Sequence, residues 1–220
     1  YNKTKRISTG HSGDIVQIIY CDNGTRYIEK SQLYSKLPND KQFFSKTSIK
    51  RNEYSLLREL IVNLYIKQYH KSNLTPKLIN YSINEISNGI RIAMQYEYID
   101  GITIQELFDS NMHNGNQIIN SKKMFVELFK TFFQNLYKLY QSINMMHNDI
   151  KINNIIVNID KNNKPKLYLI DLGRGTIPNL PLQLTIKNKL LNHIWNNYIT
   201  YILKNRKRTY NKDRKSTRLN

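Results

Sequence analysis

Alternation of apolar and polar residues near the start of the chain predicts a small antiparallel sheet. "RISTGHSGDIVQIIY", residues 6–20, reads as strand, glycine turn, strand. "CDNGTRYIEK" adds a hairpin turn at Asp22, Asn23 and Gly24, residue types that favour positive φ, before a third strand. The period then changes from two to 3.6: Leu56, Leu57, Leu60, Ile61 and Leu64 recur at helical spacing and predict a helix over residues 49–70. "TPKLINYSI" and "IRIAMQYEYIDG" return to strand character, connected at Asn88 and Gly89. After Gly101 helices dominate. Thr103 is placed to cap a helix that starts in "TIQELF", and Ser121 to cap a longer one whose Phe125, Leu128, Phe132, Leu136 and Leu139 form an apolar stripe. Two short strands follow, "NIIVNI" and "KLYLID", joined by "DKNNKPK", and a last helix over residues 184–203 carries Trp195.

Composition narrows the class. With 220 residues, 40% of them hydrophobic and 23% charged, the chain suits one ordinary domain or two small lobes. No apolar run reaches the roughly 18 residues needed to cross a bilayer and no leader pattern opens the chain, so the expectation is an intracellular, cytoplasmic protein (host cytoplasm for a viral chain) with no membrane partner. The single cysteine, Cys21, excludes an internal disulfide framework and a cysteine metal cluster. A net charge of +18 raises nucleic acid as a partner. However, enrichment in Asn, Ile, Lys and Tyr is what an AT-rich genome imposes, and the lysines are scattered apart from "KNRKRTYNK", so nucleic acid is not favoured. The last eight residues, "DRKSTRLN", resemble a translated sequencing adapter, and residues 213–220 are set aside as a non-native tail.

The chemistry-bearing stretch is "HNDIKINNIIVN", residues 147–158, a crowd of polar groups immediately before an aliphatic strand. Burial alone gives no reason for it, whereas a functional loop at a strand edge does. His147, Asp149, Lys151 and Asn154 fit H-x-D-x-K-x-x-N, and Asp171 opens "DLG" after the next hairpin. This pattern resembles the catalytic core of eukaryotic-type protein kinases. Phosphoryl transfer from ATP needs a carboxylate near the attacking hydroxyl, a cation near the moving group and oxygen ligands for magnesium. By the resemblance, Asp149 accepts or orients the hydroxyl proton, Lys151 steadies the γ-phosphate, Asn154 and Asp171 hold Mg2+, and His147 braces the loop.

The first half of the chain carries further matches. "STGHSGDI" fits G-x-G-x-x-G-x-V with Ser8 in place of the first glycine and with Gly10 and Gly13 retained. Lys30, ending "RYIEK", stands where the family carries its ATP-contacting lysine. Its carboxylate partner is Glu59 or Glu53, six residues apart and so on different helix faces; Glu59 is preferred because the helix continues for several turns beyond it. In "MQYEYIDG", Glu97 and Tyr98 resemble the hinge that offers backbone groups to adenine, with Tyr96 at the back of the pocket.

The resemblance covers about residues 7–175 and implies an α+β, bilobal, protein-kinase-like fold. Residues 1–100 would form an antiparallel β N-lobe with one helix, and residues 101–212 a truncated, mainly helical C-lobe with the catalytic loop. It implies ATP and Mg2+ as cofactors and a protein substrate phosphorylated on serine or threonine, the class in which a lysine stands two residues after the aspartate, as Lys151 does. Three departures qualify the match. Asn148 replaces the arginine before the catalytic aspartate, so no activation by loop phosphorylation is expected. Leu172 replaces a phenylalanine, and after Gly173 only "RGTIPNLPLQ" precedes the last predicted helix, with no A-P-E motif. Either the gene model is truncated or the kinase is minimal. Three alternatives stay open. One is a small atypical kinase or ATPase of the kind serving the tRNA threonylcarbamoyladenosine complex, favoured by the short segment after "IDLGRG" and the basic "NRKRTY", and opposed by Lys151. Another is an aminoglycoside- or choline-type phosphotransferase, opposed by Lys151 and Gly173. The last is a pseudokinase, opposed by the full set of catalytic residues.

Overall fold

A computed structural model describes residues 3–9, 14–35, 55–70, 73–114, 122–159 and 164–177, together with the single positions 189, 192 and 196. The period-two segments form one five-stranded antiparallel sheet from β1 (Lys3–Thr9), β2 (Ile15–Tyr20), β3 (Arg26–Tyr34), β4 (Leu78–Ile86) and β5 (Gly89–Glu97), in the order β1-β2-β3-β5-β4. The hairpin between β2 and β3 closes where expected. Gly24 takes φ 78°, and Asn23 Oδ1 accepts hydrogen bonds from the Thr25 backbone at 3.0 Å and hydroxyl at 2.6 Å.

Register decides which side chains face inward. Lys30 pairs with Val16 on one side and Met94 on the other, and directly paired residues share a face of the sheet. The same face carries Gln32, Tyr34, Ile92 and Tyr96, all buried, so Lys30 projects toward the packed side. Against that side lies α1 (Ser55–Tyr69), with Leu56, Leu57, Leu60 and Tyr65 fully buried. Leu56, Leu57, Leu60 and Tyr65 join the buried residues of β5 in one continuous core.

The second sheet is smaller: β6 (Gly101–Thr103), β7 (Ile155–Ile159) and β8 (Pro165–Leu169), in that order and antiparallel. The helices α2 (Ile104–Asn114) and α3 (Lys122–Ile143) complete the described elements, with 3-10 turns at Ile152–Asn154 and Leu172–Arg174. The stripe expected on α3 is largely inward, since Leu128, Phe132 and Leu139 are buried and Phe125 and Leu136 half-buried. Thr103 caps α2 as expected, and Glu106 makes the cap reciprocal: its Oε2 accepts from the Thr103 backbone at 2.7 Å while Thr103 Oγ1 accepts from the Glu106 backbone at 3.1 Å.

One difference from the sequence reading lies at "IRIAMQYEYIDG", expected as a single strand. The strand β5 ends at Glu97, and the chain restarts as β6 at Gly101 in the other sheet. Glycine is needed there, because a Cβ on Gly101 would lie 2.2 Å from the Val157 carbonyl oxygen. Of the final helix expected at 184–203 only positions 189, 192 and 196 are described, each helical; Trp195, the cap at Ser121 and residues 49–54 of the first expected helix lie outside the described residues. Among the described residues no helix is long and apolar enough to cross a membrane.

Candidate active site

Two clusters of charged groups stand close together, and each gathers residues distant in sequence. The first is centred on Lys30. Its ammonium donates to both oxygens of Glu59, at 3.1 and 3.0 Å, and lies 3.7 Å from Asp171 Oδ1. Glu59 is only 4% exposed. A carboxylate so buried needs further donors, and Tyr96 supplies one, its hydroxyl donating to Glu59 Oε1 at 3.1 Å while accepting from Asn63 Nδ2 at 3.0 Å. Burial works against the Lys30 ammonium, but the charges of Glu59 and Asp171 outweigh it and push its pKa up to about 12. Lys30 is therefore charged at neutral pH, while burial pushes the Glu59 carboxyl up against the opposing charge of Lys30. Of the two glutamates weighed for Lys30, the structure brings Glu59 to it; Glu53 lies outside the described residues.

The neighbouring residue on α1 reaches the same region. Arg58 Nε donates to the Gly173 carbonyl at 3.1 Å, so one helical turn holds both Lys30 and the "DLG" segment. Gly173 packs tightly there, where a Cβ would meet Ser55 at 3.1 Å. Asp171 itself adopts the left-handed conformation, φ 61° and ψ 68°, which few non-glycine residues occupy without cause.

The second cluster is the loop after α3. His147 is buried, and burial holds its pKa below the ordinary histidine value. Its Nε2 faces the Ile170 carbonyl at 3.0 Å and its Nδ1 accepts from the Asp149 backbone N–H at 3.2 Å, which assigns the proton to Nε2. The imidazole thus ties the loop to the residue that follows β8. Asp149 receives Lys151 Nζ at 3.0 Å on Oδ2 and Arg174 Nη1 at 3.5 Å on Oδ1. Burial pushes the Asp149 carboxyl up, but the hydrogen bond and charge of Lys151, the charge of Arg174 and the Asn154 amide outweigh it and hold it below the usual carboxylate range.

Asn154 is 5% exposed, and its Nδ2 donates to the Asp149 carbonyl at 3.0 Å and to Asp149 Oδ2 at 3.3 Å. With the amide nitrogen so committed, Oδ1 is the end left to accept a cation. Asn154 is also linked to the "DLG" side, since its carbonyl accepts from the Ile170 N–H at 2.9 Å. Oxygen from Asn154 and from the half-exposed Asp171 suits magnesium, which takes one or two protein ligands and completes its shell with phosphate and water. No group of three or more His, Cys, Asp and Glu residues poised to hold a metal occurs among the described residues.

The remaining candidates are arranged differently. Ser8 sits in β1 opposite Val16, just past an irregularity in register, and Gly10 and Gly13 lie outside the described residues. At the end of β5, the Glu97 N–H donates to the Lys77 carbonyl and its Oε1 accepts from the Lys77 N–H, while Tyr98 lies under the Arg26 guanidinium at 4.3 Å. These contacts hold Glu97 and Tyr98 at the sheet end rather than in either charged cluster.

Three residues went unread in the sequence. Asp14 lies beside Lys30 with Oδ1 buried and without a hydrogen-bond partner among the described residues; burial pushes its carboxyl up, with Lys30 opposing. Arg58 and Arg174 are the other two; Asp14, inside "STGHSGDI", and Arg174, adjoining "DLG", stood at motifs that could have singled them out, whereas Arg58 did not. In comparisons with known proteins, no family model and no curated protein matches this sequence.

Proposed function

We propose that the chain is an ATP- and magnesium-dependent protein kinase that transfers the γ-phosphate of ATP to serine or threonine hydroxyls, on a bilobal kinase-like architecture. The observation that carries this reading is the meeting of Lys30 from β3, Glu59 from α1 and Asp171 after β8 within 3.7 Å of one ammonium. Spacing in the sequence required no such meeting. A part-buried lysine held by one carboxylate and half-facing another is arranged to bind a polyanion while staying charged.

In this reading Lys30 contacts the nucleotide phosphates, and Glu59 and Tyr96 fix its direction. Asn154 and Asp171 hold magnesium, which when bound neutralises charge on the phosphate oxygens. Asp149 orients the acceptor hydroxyl. Its depressed pKa makes it a weak base, which suits a reaction dominated by positioning and electrostatics. Lys151, half-exposed beside Asp149, steadies the moving group.

The test is transfer of labelled γ-phosphate from ATP with magnesium to generic protein substrates and to the chain itself, for the unaltered protein and Asp149→Asn. Transfer is expected, and the substitution should reduce it roughly 100-fold or more. A folded protein that binds no ATP, or transfer indifferent to Asp149, would count against the proposal.

A further inference from the structure

Asp149 is met by two cations from separate segments, one on each carboxylate oxygen: Lys151 at 3.0 Å and Arg174 at 3.5 Å. Lys151 belongs to the motif, whereas Arg174 has no role in the reading above. Its backbone is pinned. Gly175 N–H donates to the Leu172 carbonyl at 2.8 Å, Thr176 pairs with Met146 through two bonds of 2.8 Å, and Asn148 Nδ2 donates to the Arg174 carbonyl at 3.1 Å and Thr176 Oγ1 at 2.8 Å. Asn148 takes φ 60° to make these contacts.

The side chain is held far less firmly. Arg174 is 48% exposed, and its approach to Asp149 is longer than the 2.7–2.9 Å of a strong charge-assisted hydrogen bond. An ion pair of this length and exposure contributes little to stability. A fixed backbone carrying a loosely engaged guanidinium beside the hydroxyl-orienting carboxylate suits a group that changes partner during the reaction.

We propose that Arg174 is a catalytic residue, an arginine supplied in cis that leaves Asp149 to contact the equatorial oxygens of the phosphoryl group in flight. The inference rests on the kinase reading of Asp149. In the step it serves, the bond from Pγ to the bridging oxygen of ATP breaks with its electron pair leaving on ADP. The acceptor hydroxyl oxygen bonds to Pγ, and its proton passes to Asp149 and then to solvent. Arg174 exchanges no proton. Its planar donors match phosphoryl oxygens, on which charge is spread in the loose transition state.

The experiment is calorimetric titration of the unaltered chain, Arg174→Ala and Arg174→Lys with magnesium ADP, alone and with aluminium fluoride as the phosphoryl mimic. Affinity for ADP should stay within about twofold in all three, while the tighter binding conferred by aluminium fluoride should fall about tenfold or more in Arg174→Ala, less in Arg174→Lys, with partial recovery on adding guanidinium. Equal losses for both ligands would reveal a structural role and overturn the proposal. Tighter binding by Arg174→Ala would make the arginine a latch on Asp149 and overturn it too. An unaltered chain that binds ADP but gains nothing from aluminium fluoride defeats this inference and leaves nucleotide binding standing. A chain that binds neither defeats the kinase reading and this inference with it.

Discussion

Lys30 and Glu59 illustrate what burial does to a single ion pair. With Glu59 buried and Lys30 only 18% exposed at its side chain, removing one partner strands the other. Lys30→Met should cost roughly 3 kcal/mol in urea unfolding. Adding Glu59→Gln should recover about half of that, because the amide oxygen still accepts from Tyr96. A double variant no more stable than the single one would contradict this account. His147 makes a prediction about pH. Its folded pKa lies below the unfolded value of about 6.5, so the unfolded chain binds more protons as pH falls through that range. The associated stability is full above pH of about 6.5 and is lost as pH falls through the lower, folded pKa. His147→Gln should take up fewer protons on unfolding as pH falls below about 6.5, measured as the slope of unfolding free energy against pH. An unchanged slope would mean that the imidazole titrates alike in both states.

At the scale of elements, the turn between β4 and β5 sets the register that carries Tyr81 opposite Met94, the residue that on its other side pairs with Lys30. Gly89 takes φ 145°, and a Cβ there would lie 2.1 Å from the Tyr34 carbonyl oxygen in the adjacent strand. Gly89→Ala should therefore lose about 2 kcal/mol, through strain at φ and displacement of β3. A loss below about 0.5 kcal/mol in denaturant unfolding would show that the turn relaxes without disturbing the sheet. Hairpins, α1 and the stripe of α3 were legible because each follows a local period or turn chemistry. The strand β6 was not: three residues carry no period, and its pairing with β7 brings together segments more than fifty residues apart.

For the molecule as a whole, the candidate nucleotide site joins β3, α1, the loop after α3 and the segment after β8. A ligand spanning them should stabilise the folded chain by mass action. Magnesium ATP at about 100 times its Kd should contribute about 2.7 kcal/mol, raising Tm by roughly 5–10 °C. Lys30→Met should remove most of that rise. A rise of equal size in the variant would place the nucleotide elsewhere.

Local sequence determined the α+β class, most of the element boundaries and the polar loop from His147 to Asn154, because hydrophobic period, turn residues and motif spacing are properties of neighbours along the chain. It preferred Glu59 to Glu53 as the partner of Lys30 without excluding Glu53, gave Arg58 and Arg174 no role, and read Asn148 only as a missing arginine. Tertiary structure decided these. Which carboxylate meets Lys30 depends on how α1 is rotated against the sheet. What Asn148 replaces depends on its left-handed φ and on a segment 26 residues further on. Such contacts form between elements that sequence distance does not connect, so only the packing of the core brings them within hydrogen-bonding reach.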